Sequence, residues 1–154
     1  MLPTPKYTPL PQSVVHSVRK VFGKEDIIIL NNGIYKLWFS RIYKTNAPNT
    51  VLLDNAPVVM GGELSAGITA KLLHSERRVL AICGNWNFIV NCNEFETATH
   101  YEIPVVVLIL NDNAFGFIKW EQKNKHFEDF GLDYGNSDFA LFAESFWAAG
   151  FKVR

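Results

Sequence analysis

Two short polar stretches in this chain have the residue types and setting for phosphate and metal chemistry. The first is Cys83-Gly84-Asn85-Trp86-Asn87-Phe88, where the apolar run Val79-Leu80-Ala81-Ile82-Cys83 stops at a glycine and a helical pattern starts at once. A helix N-terminus at that point aims free backbone N–H groups and a positive dipole end into the turn, which favours an anion. The second is Asn111-Asp112-Asn113, delivered by the apolar run from Pro104 to Leu110. Side-chain oxygens beside an anion-binding turn are the ligands of a hard cation clamped to a phosphate. The intervening chain is long enough for the helix and return strand of one βαβ unit. Taken alone, Asn111-Asp112-Asn113 reads equally as a polar turn closing a strand.

The elements that must position these residues alternate. Ile27-Ile28-Ile29-Leu30 is a wholly apolar run of the kind buried on both faces of a parallel sheet, and Asn31-Asn32-Gly33 after it is turn chemistry. Ile34, Leu37, Trp38 and Ile42 follow helical spacing, Val51-Leu52-Leu53 reads as a short strand, and Leu64, Ile68 and Leu72 line one helix face beyond Gly61-Gly62. Strand 79–83, a helix over 88–101 and strand 105–110 come next. A helix marked by Phe139, Phe142, Phe146 and Ala149 follows, and Phe151-Lys152-Val153 begins one more strand. This order predicts an α/β domain: a doubly wound, mostly parallel sheet with helices on both faces, in three αβα layers. Ligands in such folds bind beyond the C-terminal ends of the strands. Asn31–Gly33, Gly84–Asn87 and Asn111–Ala114 all fall at such ends.

The chain's 154 residues suit one domain. Residues 1–12 read as a proline-rich linker, with Pro3, Pro5, Pro9 and Pro11 fixing φ and withholding backbone donors. The folded domain is expected over 13–154, with Ser13 as N-cap of its first helix. Fifteen basic and fifteen acidic residues cancel, which gives no reason to expect a nucleic-acid or anionic-membrane partner. No apolar stretch reaches membrane length and the N-terminus lacks signal-peptide form, so a cytoplasmic protein is expected. Cys83 and Cys92 read as two reduced thiols. The 14% aromatic content fits either a core or a face turned to another domain. Glu94 and Glu96 read as solvated helix positions, and Lys119, Lys123 and Lys125 as a solvated loop face.

The stretch Val105-Val106-Val107-Leu108-Ile109-Leu110-Asn111-Asp112-Asn113-Ala114-Phe115-Gly116-Phe117-Ile118-Lys119-Trp120 resembles the C-terminal diphosphate-binding domain of thiamine-diphosphate-dependent, acetolactate synthase-like enzymes. Asn91 to Ala98, Gly33 with Lys36-Leu37-Trp38, Asn46–Val51, and Met60-Gly61 with Leu64 and Ala66 match it in order. The resemblance implies a thiamine diphosphate and Mg²⁺ site. Its metal ligands would be Asn85, Asp112 and the backbone carbonyl of Ala114. Gly84, Trp86 and Asn87 would face the diphosphate, helped by Asn32, Gly33 and Tyr35. Met60 would support the bent cofactor, and the segment from Phe115 to Tyr134 would be a mobile cover.

The motif is also altered. Asn85 stands where the family carries Asp, which leaves the cation less negative charge. Trp86 stands where the turn is normally small. Ile34 and Tyr35 replace polar residues, and Glu63 and Ser65 replace an apolar residue and a proline. The family continues past the position of Arg154 through another helix and strand, so an unpaired sheet edge or an exposed apolar face is expected. No segment resembles the pyrimidine-binding domain whose glutamate activates the cofactor. The resemblance therefore implies part of a 2-keto-acid-decarboxylating enzyme that needs a separate pyrimidine-binding domain. That domain would come from a partner subunit, or the chain would form a homo-oligomer. The alternative is a non-catalytic truncated homologue with a degraded site.

Overall fold

The computed structural model describes residues 9–53, 60–132, 134–135 and 137–153. Most of the proposed linker, at 1–8, lies outside these residues. The elements run α1 (Pro11–Val21), β1 (Ile27–Leu30), α2 (Tyr35–Ile42), β2 (Val51–Leu53), α3 (Gly62–Leu73), β3 (Val79–Gly84), α4 (Asn85–Val90), α5 (Glu94–His100), β4 (Val106–Leu110), α6 (Gly116–Asn124) and α7 (Phe139–Ser145). Helix α1 starts at Pro11, because a first-turn proline loses no helical hydrogen bond. Leu10 is its N-cap, and Ser13, expected there, lies inside the helix.

The four strands form one all-parallel sheet in the order β2-β1-β3-β4. Pairing is in register from Ile28↔Val51 through Ile27↔Val79 to Leu80↔Val106. β1 and β3 are central, and every residue of β1 is buried. Helices cover both faces. Val15 and Val18 of α1 and Tyr35 and Phe39 of α2 pack on Ile28, Leu30, Leu80 and Ile82. Leu64 and Ile68 of α3, Phe88 of α4 and Ala98 of α5 pack around Cys83 on the other face, with Phe139 and Phe142 of α7. The expected three-layer αβα architecture is the observed one. Fully burying a residue such as Ile28, Leu30 or Ile82 contributes about 1.5–3 kcal/mol.

Several boundaries differ from expectation. The helix expected over 88–101 is two helices broken at Asn91-Cys92-Asn93. The Asn91 side chain there donates to the Gly61 carbonyl at 3.1 Å and to Ser65 Oγ at 2.9 Å. Asparagine competes in this way with helical hydrogen bonding. Phe151–Val153 forms no strand. Lys152 Nζ instead donates to Asp138 Oδ2 at 2.9 Å, which holds this segment against the start of α7. Leu72 is exposed, so the inner face of α3 is carried by Leu64 and Ile68, and in α2 the buried positions are Tyr35 and Phe39. Lys119 and Lys123 lie on α6 rather than on a loop, with Lys119 paired to Asp129 at 2.9 Å.

β4 is an edge strand with Val106 exposed. An open, mostly apolar groove of about 850 Å³ runs between α1, α2 and β4. The aromatic residues divide between core and surface. Phe88, Phe95, Phe139, Phe142 and Phe146 form a cluster of edge-to-face and tilted ring pairs, while Phe127, Phe130, Trp147 and Phe151 are exposed.

Candidate functional site

The sheet order reverses between β1 and β3: β1 leads outward to β2, and β3 leads the other way to β4. A crevice opens at such a switch point, between the loops leaving the two strands. The loop after β1 is Asn31-Asn32-Gly33, and β3 ends at Gly84 with α4 following at once. A side-chain bond spans the two: Asn87 Nδ2 donates to the Asn32 carbonyl at 2.8 Å. The Tyr35 hydroxyl donates to the same carbonyl at 3.4 Å. Tyr35 is buried below the loop and its ring lies flush against Gly33, where an added Cβ would stand 2.2 Å from the ring. Burial pushes its phenol well above the usual range, so it serves as a neutral hydrogen-bonding prop. Lys36 Nζ donates to Asn32 Oδ1 at 2.9 Å, which brings a cation to the loop.

Asn85, first residue of α4, is buried, and its amide is held at both ends. Nδ2 donates to Asn111 Oδ1 at 2.9 Å, tying the turn after β3 to the turn after β4. Oδ1 accepts from the Tyr134 hydroxyl at 2.9 Å. The same hydroxyl lies 3.2 Å from the carbonyl oxygen of Ala114. Asn85 Oδ1 and Ala114 O therefore face one common point, occupied by Tyr134 Oη. Asp112 lies close enough for its charge to act on the Tyr134 phenol, which burial chiefly and that charge secondarily push up. Asp112 Oδ1 accepts from Ala114 N at 3.2 Å, and Oδ2 lies over Gly116, where a Cβ would come within 2.2 Å of it. Among the described residues no group of three or more His, Cys, Asp or Glu side chains could hold a metal. Any cation here must rely on amide and carbonyl oxygens with one carboxylate, a donor set that fits a hard ion.

Trp86 turns its indole toward the segment that follows β4. Its ring meets Phe115 edge-on with centroids 5.4 Å apart, and Tyr134 at 4.8 Å, while Phe115 and Tyr134 stand 5.1 Å apart. The segment is anchored from Phe115 N to the Leu132 carbonyl at 3.1 Å, with Leu132 buried. Phe115 and Tyr134, at the two ends of the segment expected as a cover, thus pack on Trp86 at the start of α4.

Beneath the loops lies a polar knot. Glu63, in the first turn of α3, is buried, and Asn31 Nδ2 donates to its Oε2. Its Oε1 has no hydrogen-bond partner among the described residues. Burial pushes the Glu63 carboxyl up. The neighbouring Cys83 thiol is raised too, by burial and then by the Glu63 charge. Cys83 and Cys92 are both free thiols.

Of the residues singled out in the sequence, Asn32, Gly33, Gly84, Asn85, Trp86, Asn87, Asp112 and Ala114 lie together around the switch point. Tyr35 lies beneath them as a support. Met60 is half-buried in the turn entering α3, where Gly61 adopts φ 84° and Asn91 clasps its carbonyl. Sequence reasoning gave no role of their own to Tyr134, Lys36 and Asn31, and took Asn111 only together with Asp112 and Asn113. Tyr134 lies beyond α6, with no motif to connect it to Asn85.

A parallel α/β domain with polar turns converging at its switch point belongs to the broad class of phosphate- and nucleotide-binding domains. Within that class, the family described as "Thiamine pyrophosphate enzyme, C-terminal TPP binding domain" matches residues 31–154, and the chain belongs to it. It is 34% identical over 147 residues to the "Putative thiamine pyrophosphate-containing protein YdaP" of Bacillus subtilis, covering 95% of this chain and 26% of that protein. It is 27% identical over 144 residues to the acetolactate synthase of the same organism, covering 94% of this chain and 25% of the enzyme. Pyruvate oxidase of Lactiplantibacillus plantarum is 27% identical over 142 residues, covering 92% and 24%. The chain thus spans about a quarter of the length of these relatives. It corresponds to their C-terminal domain type. No helix among the described residues is long and apolar enough to cross a membrane.

Proposed function

We propose that this chain binds thiamine diphosphate through Mg²⁺ and forms the diphosphate-binding part of an acetolactate synthase-like, 2-keto-acid-decarboxylating enzyme. A pyrimidine-binding domain, on a partner subunit or elsewhere in a longer protein, would complete the site. The observation that carries the reading is the convergence of Asn85 Oδ1 and the Ala114 carbonyl on one point beside Asp112. Oxygen ligands of this kind suit Mg²⁺, and Asn85, Asp112 and Ala114 would hold it. Thiamine diphosphate held there would supply the nucleophilic and electron-accepting chemistry that 2-keto-acid decarboxylation requires. The rest falls to this chain's residues. Gly33 and Gly84 leave room for the Tyr35 ring that supports both turns, and Lys36 lends positive charge. Asn87 fixes the Asn32 loop against α4, and Trp86 and Asn87 flank the diphosphate from the start of that helix. Met60 props the cofactor, while Trp86 and Phe115 exclude water.

A second reading is a non-catalytic homologue that retains the fold and associates with copies of itself. It is favoured by the Trp86–Phe115–Tyr134 packing over the turn and by the exposed Trp147, Phe130 and Phe151. Equilibrium dialysis with thiamine diphosphate separates the two. The first reading predicts retention that needs Mg²⁺ and is lost in Asp112→Ala. Retention indifferent to both, or none at any Mg²⁺ concentration, favours the second.

A further inference from the structure

We infer that Glu63 is a positioning residue for the loop after β1: by holding the Asn31 side chain it fixes the backbone of Asn32, and so sets the loop that would meet the diphosphate. The inference rests on the reading of Asn32 and Gly33 as diphosphate-facing made above. Glu63 lies in the first turn of α3 and is buried, as is Asn31 at the end of β1. Asn31 Nδ2 donates to Glu63 Oε2, and Asn31 Oδ1 accepts from Asn32 N at 2.6 Å. One amide is thus used at both ends, its nitrogen on α3 and its oxygen on the loop. An acceptor that takes the nitrogen leaves the oxygen facing the Asn32 N–H.

The sheet gives way where this pair takes over. Asn31 N reaches the Ile82 carbonyl at a long 3.5 Å, so the ladder between β1 and β3 fades as the loop begins. Past that point side chains hold the backbone. The Asn32 N–H is tied to Asn31, and the Asn32 carbonyl accepts from Asn87 Nδ2 at 2.8 Å. The peptides on both sides of Asn32 are therefore fixed in orientation. The peptide joining Asn32 to Gly33 is trans and planar, so the Gly33 N–H is directed away from Asn87. Burial disfavours charge on Glu63, which suits a carboxyl placed beneath a loop that would meet an anion.

The test is residue-resolved amide hydrogen exchange by NMR, with equilibrium dialysis against thiamine diphosphate and Mg²⁺, on the native chain, Glu63→Gln and Glu63→Met. Glu63→Gln keeps an oxygen acceptor for Asn31, and Glu63→Met fills a similar volume without one. The Asn32 amide should exchange about tenfold faster in Glu63→Met and at the native rate in Glu63→Gln, while the β1 amides of Ile28 and Ile29 stay slow in both. Cofactor retention should fall in Glu63→Met and return in Glu63→Gln. An Asn32 amide that stays slow in Glu63→Met, or is equally fast in both variants, overturns the inference. So does faster Asn32 exchange with retention unchanged. Rapid exchange of the Asn31 side-chain amide in the native chain overturns it too, and that measurement needs no variant to fold. A native chain that retains no cofactor overturns the cofactor reading, and the exchange rates alone then decide whether Glu63 sets the loop.

Discussion

Asn85 donates through Nδ2 to Asn111 Oδ1 at 2.9 Å, a bond that helps set which way the Asn85 amide faces. With its nitrogen held by the turn after β4, its oxygen must face Tyr134 and Ala114. The bond therefore joins the two turns and turns a neutral amide into an oxygen donor for the candidate cation.

Removing the Asn111 side chain should let that amide rotate. Asn111→Ala is expected to cost about 1 kcal/mol of stability in chemical denaturation and to weaken Mg²⁺-dependent cofactor binding. Loss of stability with unchanged binding would show that Asn85 orientation does not matter to the ligand.

Trp86→Ala should free the cover. Two aromatic pairs are lost, each worth about 0.5–1.5 kcal/mol beyond burial. Limited proteolysis should then cut faster near Phe127–Gly131. An unchanged digestion rate would mean that α6 and Leu132 alone hold the segment.

Gly61 sits at φ 84°, and a Cβ there would come within 2.6 Å of Asn91 Cβ. Gly61→Ala is expected to cost about 1–2 kcal/mol from the left-handed backbone alone, with a further loss from the Asn91 clasp. Thermal denaturation measures it, and a neutral result would remove the reason given for the break between α4 and α5.

Glu63 gives the fold a pH dependence of definite sign. Burial raises its folded-state value above the ordinary 4.5, so between those two values the folded chain holds a proton that the unfolded chain has released. Stability from this group is therefore full in acid and falls as pH rises through 4.5 toward the raised value. The groups facing it are Cys83, itself raised by burial, and Tyr35, which stays neutral. Glu63→Gln should lose this fall, so its stability relative to the native chain should rise between pH 4 and pH 8 in urea denaturation. A parallel pair of curves would place the pH dependence elsewhere.

Much of this was legible in the sequence. The unbroken apolar runs Ile27–Leu30 and Val79–Cys83 read as buried strands of a parallel sheet, and the turns that follow them fall at the C-terminal ends of those strands. What escaped reading depends on tertiary partners. Asn91–Asn93 breaks a helix because Asn91 finds acceptors on α3, which no local periodicity reports. Phe151–Val153 has strand composition, yet Lys152 is drawn to Asp138 instead. Tyr134 looked like cover, and only the fold places its hydroxyl between Asn85 and Ala114. Glu63 looked like a departure at a helix entry, and only burial makes it a titrating group.

The central claim, that the turn after β3 is a thiamine diphosphate and Mg²⁺ site weakened by Asn85 and Trp86, is tested most directly by calorimetry. The native chain is compared with the double variant Asn85→Asp, Trp86→Gly. The account predicts weak, Mg²⁺-dependent binding of thiamine diphosphate by the native chain and binding at least about tenfold tighter in the variant, since a restored carboxylate and a cleared turn should together contribute more than about 1.4 kcal/mol. A folded double variant that binds no cofactor, or binds it no better than the native chain, would contradict the claim.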